Sequence, residues 1–205
     1  MTRYVAVLAS WLSCFTSFLW AMQGGFFTRP PGPSEPGTRK VKITGTIAGL
    51  TQLAVIARPR AIGRSNCAVG IGLYGASLVL FWRCIHANRT RPLSLAFSKD
   101  QPDHLVTRGP YRYIRHPFYT AYLLAWAAGP ISTKQRWLAM HAIVMGIVYY
   151  NAARFEEAKF LTSTMAAEYS AYRRHTGMFL PRPARCSRRS PTTSARGHHS
   201  QTPRL

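Results

Sequence analysis

Three stretches of the chain carry side chains that can do chemistry together: 105–122 (LVTRGPYRYIRHPFYTAY), 154–161 (RFEEAKFL) and 168–181 (EYSAYRRHTGMFLP). The first interleaves rings with cations. Tyr111, Tyr113, Phe118 and Tyr119 offer faces that stack a flat ring or stabilise a positive charge, and Arg115 and His116 offer donors to a carboxylate. Pro117 suits the first position of a helix, where a missing N–H costs nothing and the neighbouring free N–H groups can face an anion. The second stretch holds Glu156 and Glu157, two of only 6 acidic residues in 205. They stand where an uncharged run ends, so an amine or other cation is one partner for them; the alternative is a solvated helix face.

The elements that must position these groups belong to a membrane. The chain has 27 Lys+Arg against 6 Asp+Glu, a formal charge of +21, yet 47% of it is hydrophobic and 12% aromatic. That composition excludes a chain that is mainly disordered. The mean hydropathy of -0.09 averages uncharged apolar runs with short arginine-rich ones, an alternation expected of a polytopic membrane protein. The runs are 4–28, 43–57, 65–82, 117–133 and 137–153, and the first exceeds the ~20 residues that cross a hydrocarbon core. A cleaved signal peptide is the alternative for that run, since Arg3 is basic, but no small-x-small site precedes Gln23.

The fold expected is all-α, with about five transmembrane helices near 4–23, 42–58, 65–86, 117–133 and 136–154. The last two form a tight hairpin across KQR. The second is short and rich in Thr and Gly, so Lys42 and Arg58 must reach for the interfaces. The link 29–37 (RPPGPSEPG) predicts a loop. Beyond residue 154, Phe155, Phe160, Leu161, Met165, Tyr169 and Tyr172 fall near 3.6-residue spacing, which predicts an amphipathic helix against the bundle surface. Residues 1–181 then form one membrane domain, and 182–205, without periodicity, a basic disordered tail. Five spans divide the Lys and Arg residues 21 to 6, which places the 83–115 loop, the 154–181 segment and the tail together on the cytoplasmic side.

The three stretches resemble, in order and over 105–181, the integral-membrane methyltransferases of the isoprenylcysteine carboxyl methyltransferase and phospholipid methyltransferase group, whose pattern runs LVTxGPYRYxRHPxYxG, EExxL, YxxYxxxxxRxxP. The resemblance implies an S-adenosylmethionine-dependent methyltransferase acting on a lipid-like or small hydrophobic acceptor, a carboxylate, amine or thiol, at the cytosolic membrane face. By that resemblance the cofactor region is 99–119 plus 154–181, with Asp103, His104, Leu105, Val106, Tyr111, His116, Pro117, Phe118, Tyr119, Glu156 and Glu157 holding the cofactor. Both glutamates are kept, because counting back from Tyr169 favours Glu157 and matching the first EE pair favours Glu156. Arg154, Glu157 and Arg115 are the candidates beside the reacting atoms, and His104 or Glu157 could take a proton from an amine acceptor. The chain departs from the pattern at Ala121, at 164–167 (TMAA) and at Met178.

Two other readings compete. Some membrane sterol reductases that use NADPH carry a related carboxy-terminal region, but no Gly-rich dinucleotide fingerprint occurs here. A non-enzymatic scaffold would use the basic tail to bind a polyanion; that tail lacks the interleaved aromatics of a base-stacking surface, so no specific nucleic-acid partner is expected and membrane lipid is. Cys14, Cys67, Cys84 and Cys186 show neither CxxC nor metal-ligand spacing, so no metal is expected.

Overall fold

The protein's structure, a computed structural model, describes residues 2–28, 35–62, 66–91, 93–94, 97, 102, 104–133 and 135–182. Asp103, Cys186 and the tail from residue 183 lie outside the described residues. Among the described residues six helices make up nearly all of the regular structure: α1 Thr2–Gln23, α2 Pro36–Ile56, α3 Cys67–Ala87, α4 Pro117–Ser132, α5 Ala139–Leu161 and α6 Ala166–His175. Short 3-10 turns at Pro59–Ala61, Gly109–Arg112 and Arg136–Leu138 link them. Two-residue strands β1 (Phe27–Thr28) and β2 (Leu93–Ser94) pair in parallel, Phe27 opposite Leu93, and tie the link after α1 to the link after α3.

Proline sets two helix starts. Pro36 and Pro117 each occupy the first turn, where the fixed φ favours the helix and the absent N–H had no partner to lose. Of the loop expected over 29–37, residues 29–34 lie outside the described residues, and Pro36 and Gly37 are already helical. The expected surface helix after residue 154 is divided: α5 runs on to Leu161, a turn follows at 162–165, and only α6 is separate. Arg154, Glu156 and Glu157 thus continue the last apolar run as one helix, and their positions follow from its phase.

The core lies between α1, α3 and α4, where small residues bring backbones together. Ala121, Ala125 and Ala128 of α4 are fully buried, Ser77 donates to the Ala121 carbonyl at 2.7 Å, and a Cβ on Gly70 would stand 1.8 Å from Ser132 Oγ. Aromatic rings fill the remainder, with Phe18 against Phe81 at 4.8 Å and against Tyr122 at 4.9 Å. Cys14, Cys67 and Cys84 are free and buried.

Among the described residues, α1 and α3 are long and apolar enough to cross a membrane. The other three long helices fall short by that measure. With 16 residues, α4 extends roughly 24 Å against a hydrocarbon core of about 30 Å, while α2 and α5 contain Arg39, Lys40 and Lys42 and Arg154, Glu156, Glu157 and Lys159.

Candidate functional site

The site forms where α4 begins, because the chain is anchored on both sides of that point. Before it, Gly109 sits at φ +61°, a left-handed conformation glycine adopts without steric cost, and starts the 3-10 turn that carries Tyr111. Arg108 locks this turn to the end of α3, donating to the Ala87 carbonyl at 3.0 Å and to Thr90 Oγ1 at 2.8 Å. Buried Asn88 donates to the Tyr111 hydroxyl at 2.9 Å. Burial, then the surrounding groups taken together, holds that phenol well above its ordinary range.

After α6 the chain returns across the same loop. The Arg115 N–H donates to the Gly177 carbonyl at 2.8 Å, the His116 N–H to the Met178 carbonyl at 3.1 Å, and the Gly177 N–H to the Tyr113 carbonyl at 3.3 Å. Thr120 Oγ1 donates to the Phe179 carbonyl at 2.8 Å. The segment 176–179 therefore fixes the first turn of α4, and Met178 takes part through its backbone.

The two glutamates face different surroundings. Glu157 is buried, with a side chain 3% exposed, and pairs with Arg115 Nε at 2.9 Å, His116 Nε2 at 3.3 Å and Arg173 Nε at 3.6 Å. Arg115, itself 5% exposed at its side chain, also donates to the Thr176 carbonyl. Burial alone would push the Glu157 carboxyl up; hydrogen bonds from His116 and Arg115, with their charge, reverse this and hold it at about 2. Glu156, with a side chain 32% exposed, accepts from the Tyr119 hydroxyl and lies 3.5 Å from His116 Nδ1. The His116 ring thus has one carboxylate at each nitrogen. Burial works against its charge, but hydrogen bonds to Glu156 and Glu157 prevail and raise its pKa above 6.5.

A cavity of about 720 Å³ opens beside this cluster. Its polar end is lined by His104, Leu105, Val106, Tyr111, Arg115, His116, Pro117, Phe118, Tyr119 and Glu156, which are ten of the residues expected to act. Glu157 does not line it; it stands behind Arg115 and His116. Arg154, expected beside the reacting atoms, is exposed and off the cavity. The continuity of α5 explains this: two residues apart on a helix is about 200° of rotation, so Arg154 and Glu156 lie on opposite faces. Tyr113 is exposed as well. Ala121, where the pattern has Gly, packs on α3 and leaves the cavity untouched.

Sequence reasoning missed the rest of the wall. Lys42 of α2, Lys159 and Phe160 of α5, and Tyr169 and Tyr172 of α6 line the polar end. Trp11, Phe15, Gly49, Trp126, Met145 and Tyr149 carry the cavity on between α1, α2, α4 and α5. The periodic spacing of Phe160, Tyr169 and Tyr172 was visible, but it marks a buried face without telling packing from a cavity wall. Among the described residues no group of three or more His, Cys, Asp or Glu side chains could hold a metal ion.

A family profile described as phospholipid methyltransferase matches residues 65–168, from the start of α3 into α6. The chain belongs to the phospholipid methyltransferase family. This family lies within the group of integral-membrane methyltransferases whose pattern the three stretches resemble. Membership supports a membrane methyltransferase and gives α3, α4 and α5, with the loop between α3 and α4, as the shared core. No curated protein and no solved structure matches the chain.

Proposed function

We propose that the protein transfers a methyl group from S-adenosylmethionine to a lipid-like or small hydrophobic acceptor, in the manner of the isoprenylcysteine carboxyl methyltransferases, at the cytosolic face of a membrane. The observation that carries this reading is one cavity that joins a polar end built from the three sequence stretches to an apolar end between helices. Its lining fits the cofactor: Glu156 would accept from an amine, His104 and Lys159 would donate to a carboxylate, and Tyr111, Phe118 and Tyr172 would flank a flat ring. The cofactor, when bound, supplies a sulfonium methyl open to in-line displacement by an amine, carboxylate or thiolate.

The chain's own residues bind, orient and exclude water. Glu157 and Arg115 neutralise each other and hold the first turn of α4 against 176–179, so that His116 and Tyr119 meet Glu156. Glu157 is a positioning residue in this account, and Glu156 the ligand-facing one. With a carboxylate already at each nitrogen of His116, an amine acceptor's proton goes to His104 at the cavity wall or to water. Positioning and exclusion of water then supply most of the acceleration.

Five spans remain the topology we propose, because α2 and α5 present exposed Ile43, Ile47, Leu50, Met140, Ile143 and Ile147 as α1 and α3 present Val5, Leu12, Val69 and Val79. Apolar faces of this extent belong against lipid. The Lys and Arg distribution supports a cytoplasmic site and tail, with 1–181 as the membrane domain and 182–205 as a dispensable tail. The test is transfer of labelled methyl from S-adenosylmethionine into organic-extractable material in membranes containing the protein. Wild type should transfer and Glu156→Ala should not; transfer unchanged in Glu156→Ala, or oxidation of reduced nicotinamide instead, would overturn the reading.

A further inference from the structure

Helix α4 carries Pro130 two residues before its end. A proline has no N–H, so the carbonyl four residues earlier, that of Trp126, loses its helical partner. Left bare in an apolar interior, that oxygen would be costly. The Gln52 side chain of α2 supplies what the proline removed: its Nε2 donates to the Trp126 carbonyl at 3.1 Å, and its Oε1 accepts from Trp11 Nε1 at 3.3 Å. Gln52 is fully buried. Gly129 admits it, since a Cβ there would stand 2.7 Å from Gln52 Cδ. Trp126 Nε1 in turn donates to the Tyr149 hydroxyl at 3.3 Å, so one amide and two indoles join α1, α2, α4 and α5.

Two members of this junction, Trp11 and Trp126, line the end of the cavity away from the polar groups. Trp11 is the lining residue of α1 farthest from the polar end, Trp126 that of α4 and Met145 that of α5. From Pro117 to Trp126, α4 rises roughly 14 Å, which is the depth available below the polar end. We propose that Gln52 is a specificity-determining positioning residue: by holding Trp126 and Trp11 in place as the end wall, it sets the longest apolar chain the cavity accepts. The proposal rests on the reading of the cavity as an acceptor site.

The test uses the full chain in lipid nanodiscs and a homologous series of n-alkylphosphocholines, with binding followed by tryptophan fluorescence. In wild type, affinity rises roughly fourfold per added methylene until the chain meets the tryptophans, and then stops rising. Gln52→Leu and Trp126→Ala both move that break to longer chains, while S-adenosylmethionine affinity stays as in wild type. Pro130→Ala restores an N–H for the Trp126 carbonyl, so Gln52→Leu/Pro130→Ala brings the break back toward the wild-type length, a rescue that general loosening would not give. A folded Gln52→Leu with an unmoved break, or a double variant without rescue, overturns the proposal. If Gln52→Leu does not fold, Trp126→Ala decides, and an unmoved break there overturns it equally. A moved break without donor binding would refute methyl transfer and leave the end wall standing; donor binding with an unmoved break would do the reverse.

Discussion

Replacing Glu157 by Gln removes one charge and little volume from the cluster that fixes the start of α4, and its cost follows from the geometry. The carboxyl is held at about 2 against an ordinary 4.5. At about 1.4 kcal/mol per tenfold change in proton affinity, that difference corresponds to roughly 3 kcal/mol of stability at neutral pH. In a chain of this size each kcal/mol moves the melting temperature by about 2–4 °C, so Glu157→Gln should melt roughly 6–12 °C below wild type. The sign with pH is fixed too. A depressed carboxyl pKa stabilises fully above 4.5 and loses that contribution as pH falls toward 2, so the gap between wild type and variant should narrow on acidification. The assay is thermal unfolding of detergent-solubilised protein, followed by circular dichroism from neutral pH downward. Equal melting temperatures at neutral pH, or a gap that widens in acid, would refute the assignment of Glu157 as a buried, paired carboxylate.

Other consequences are as direct. His116 has a raised pKa, so its stabilisation is complete below 6.5 and is lost as pH rises through the raised value; the gap between wild type and His116→Gln should close on the alkaline side of a melting series. Gly177→Ala places a Cβ 1.7 Å from the Leu180 carbonyl oxygen, which the backbone must move to relieve, and should lower the melting temperature and weaken donor binding together. Truncation after Pro181 should leave melting and donor binding unchanged, whereas truncation after His175 deletes the partners of Arg115, His116 and Thr120 and should abolish both. Tyr119→Phe removes one hydrogen bond to Glu156, worth about 1.5–3 kcal/mol to a charged group, and should reduce donor affinity measured by calorimetry without moving the Glu157-dependent acid profile.

Uncharged runs located the five long helices because a run without charge marks a segment with no side that calls for water. Their ends were less legible. Spacing after residue 154 predicts one amphipathic helix, but periodicity does not reveal that Arg154 to Leu161 continues α5 without a break, and so it left open which of two adjacent glutamates faces the cavity. Helix phase resolves the pair: Glu156 lines the cavity and Glu157 turns to Arg115. Ten expected site residues converge because they lie in two short motifs on either side of a hairpin. Gln52, Asn88 and Trp11 carried no such signal. Each acts through a partner far along the chain, Trp126, Tyr111 and Gln52 respectively, and only the packing of helices brings them there. Pro130 inside an uncharged run is the sequence feature that requires some side chain to answer for the Trp126 carbonyl.

The most direct test of the central claim is calorimetric titration of S-adenosylmethionine into the purified wild-type protein and into Glu156→Gln, with reduced nicotinamide cofactor as control. The account predicts saturable binding to wild type, weakened roughly tenfold or more in Glu156→Gln, as expected for loss of a charge-assisted hydrogen bond, and none of the nicotinamide. No binding of S-adenosylmethionine to folded wild type, or equal binding to the variant, would contradict it.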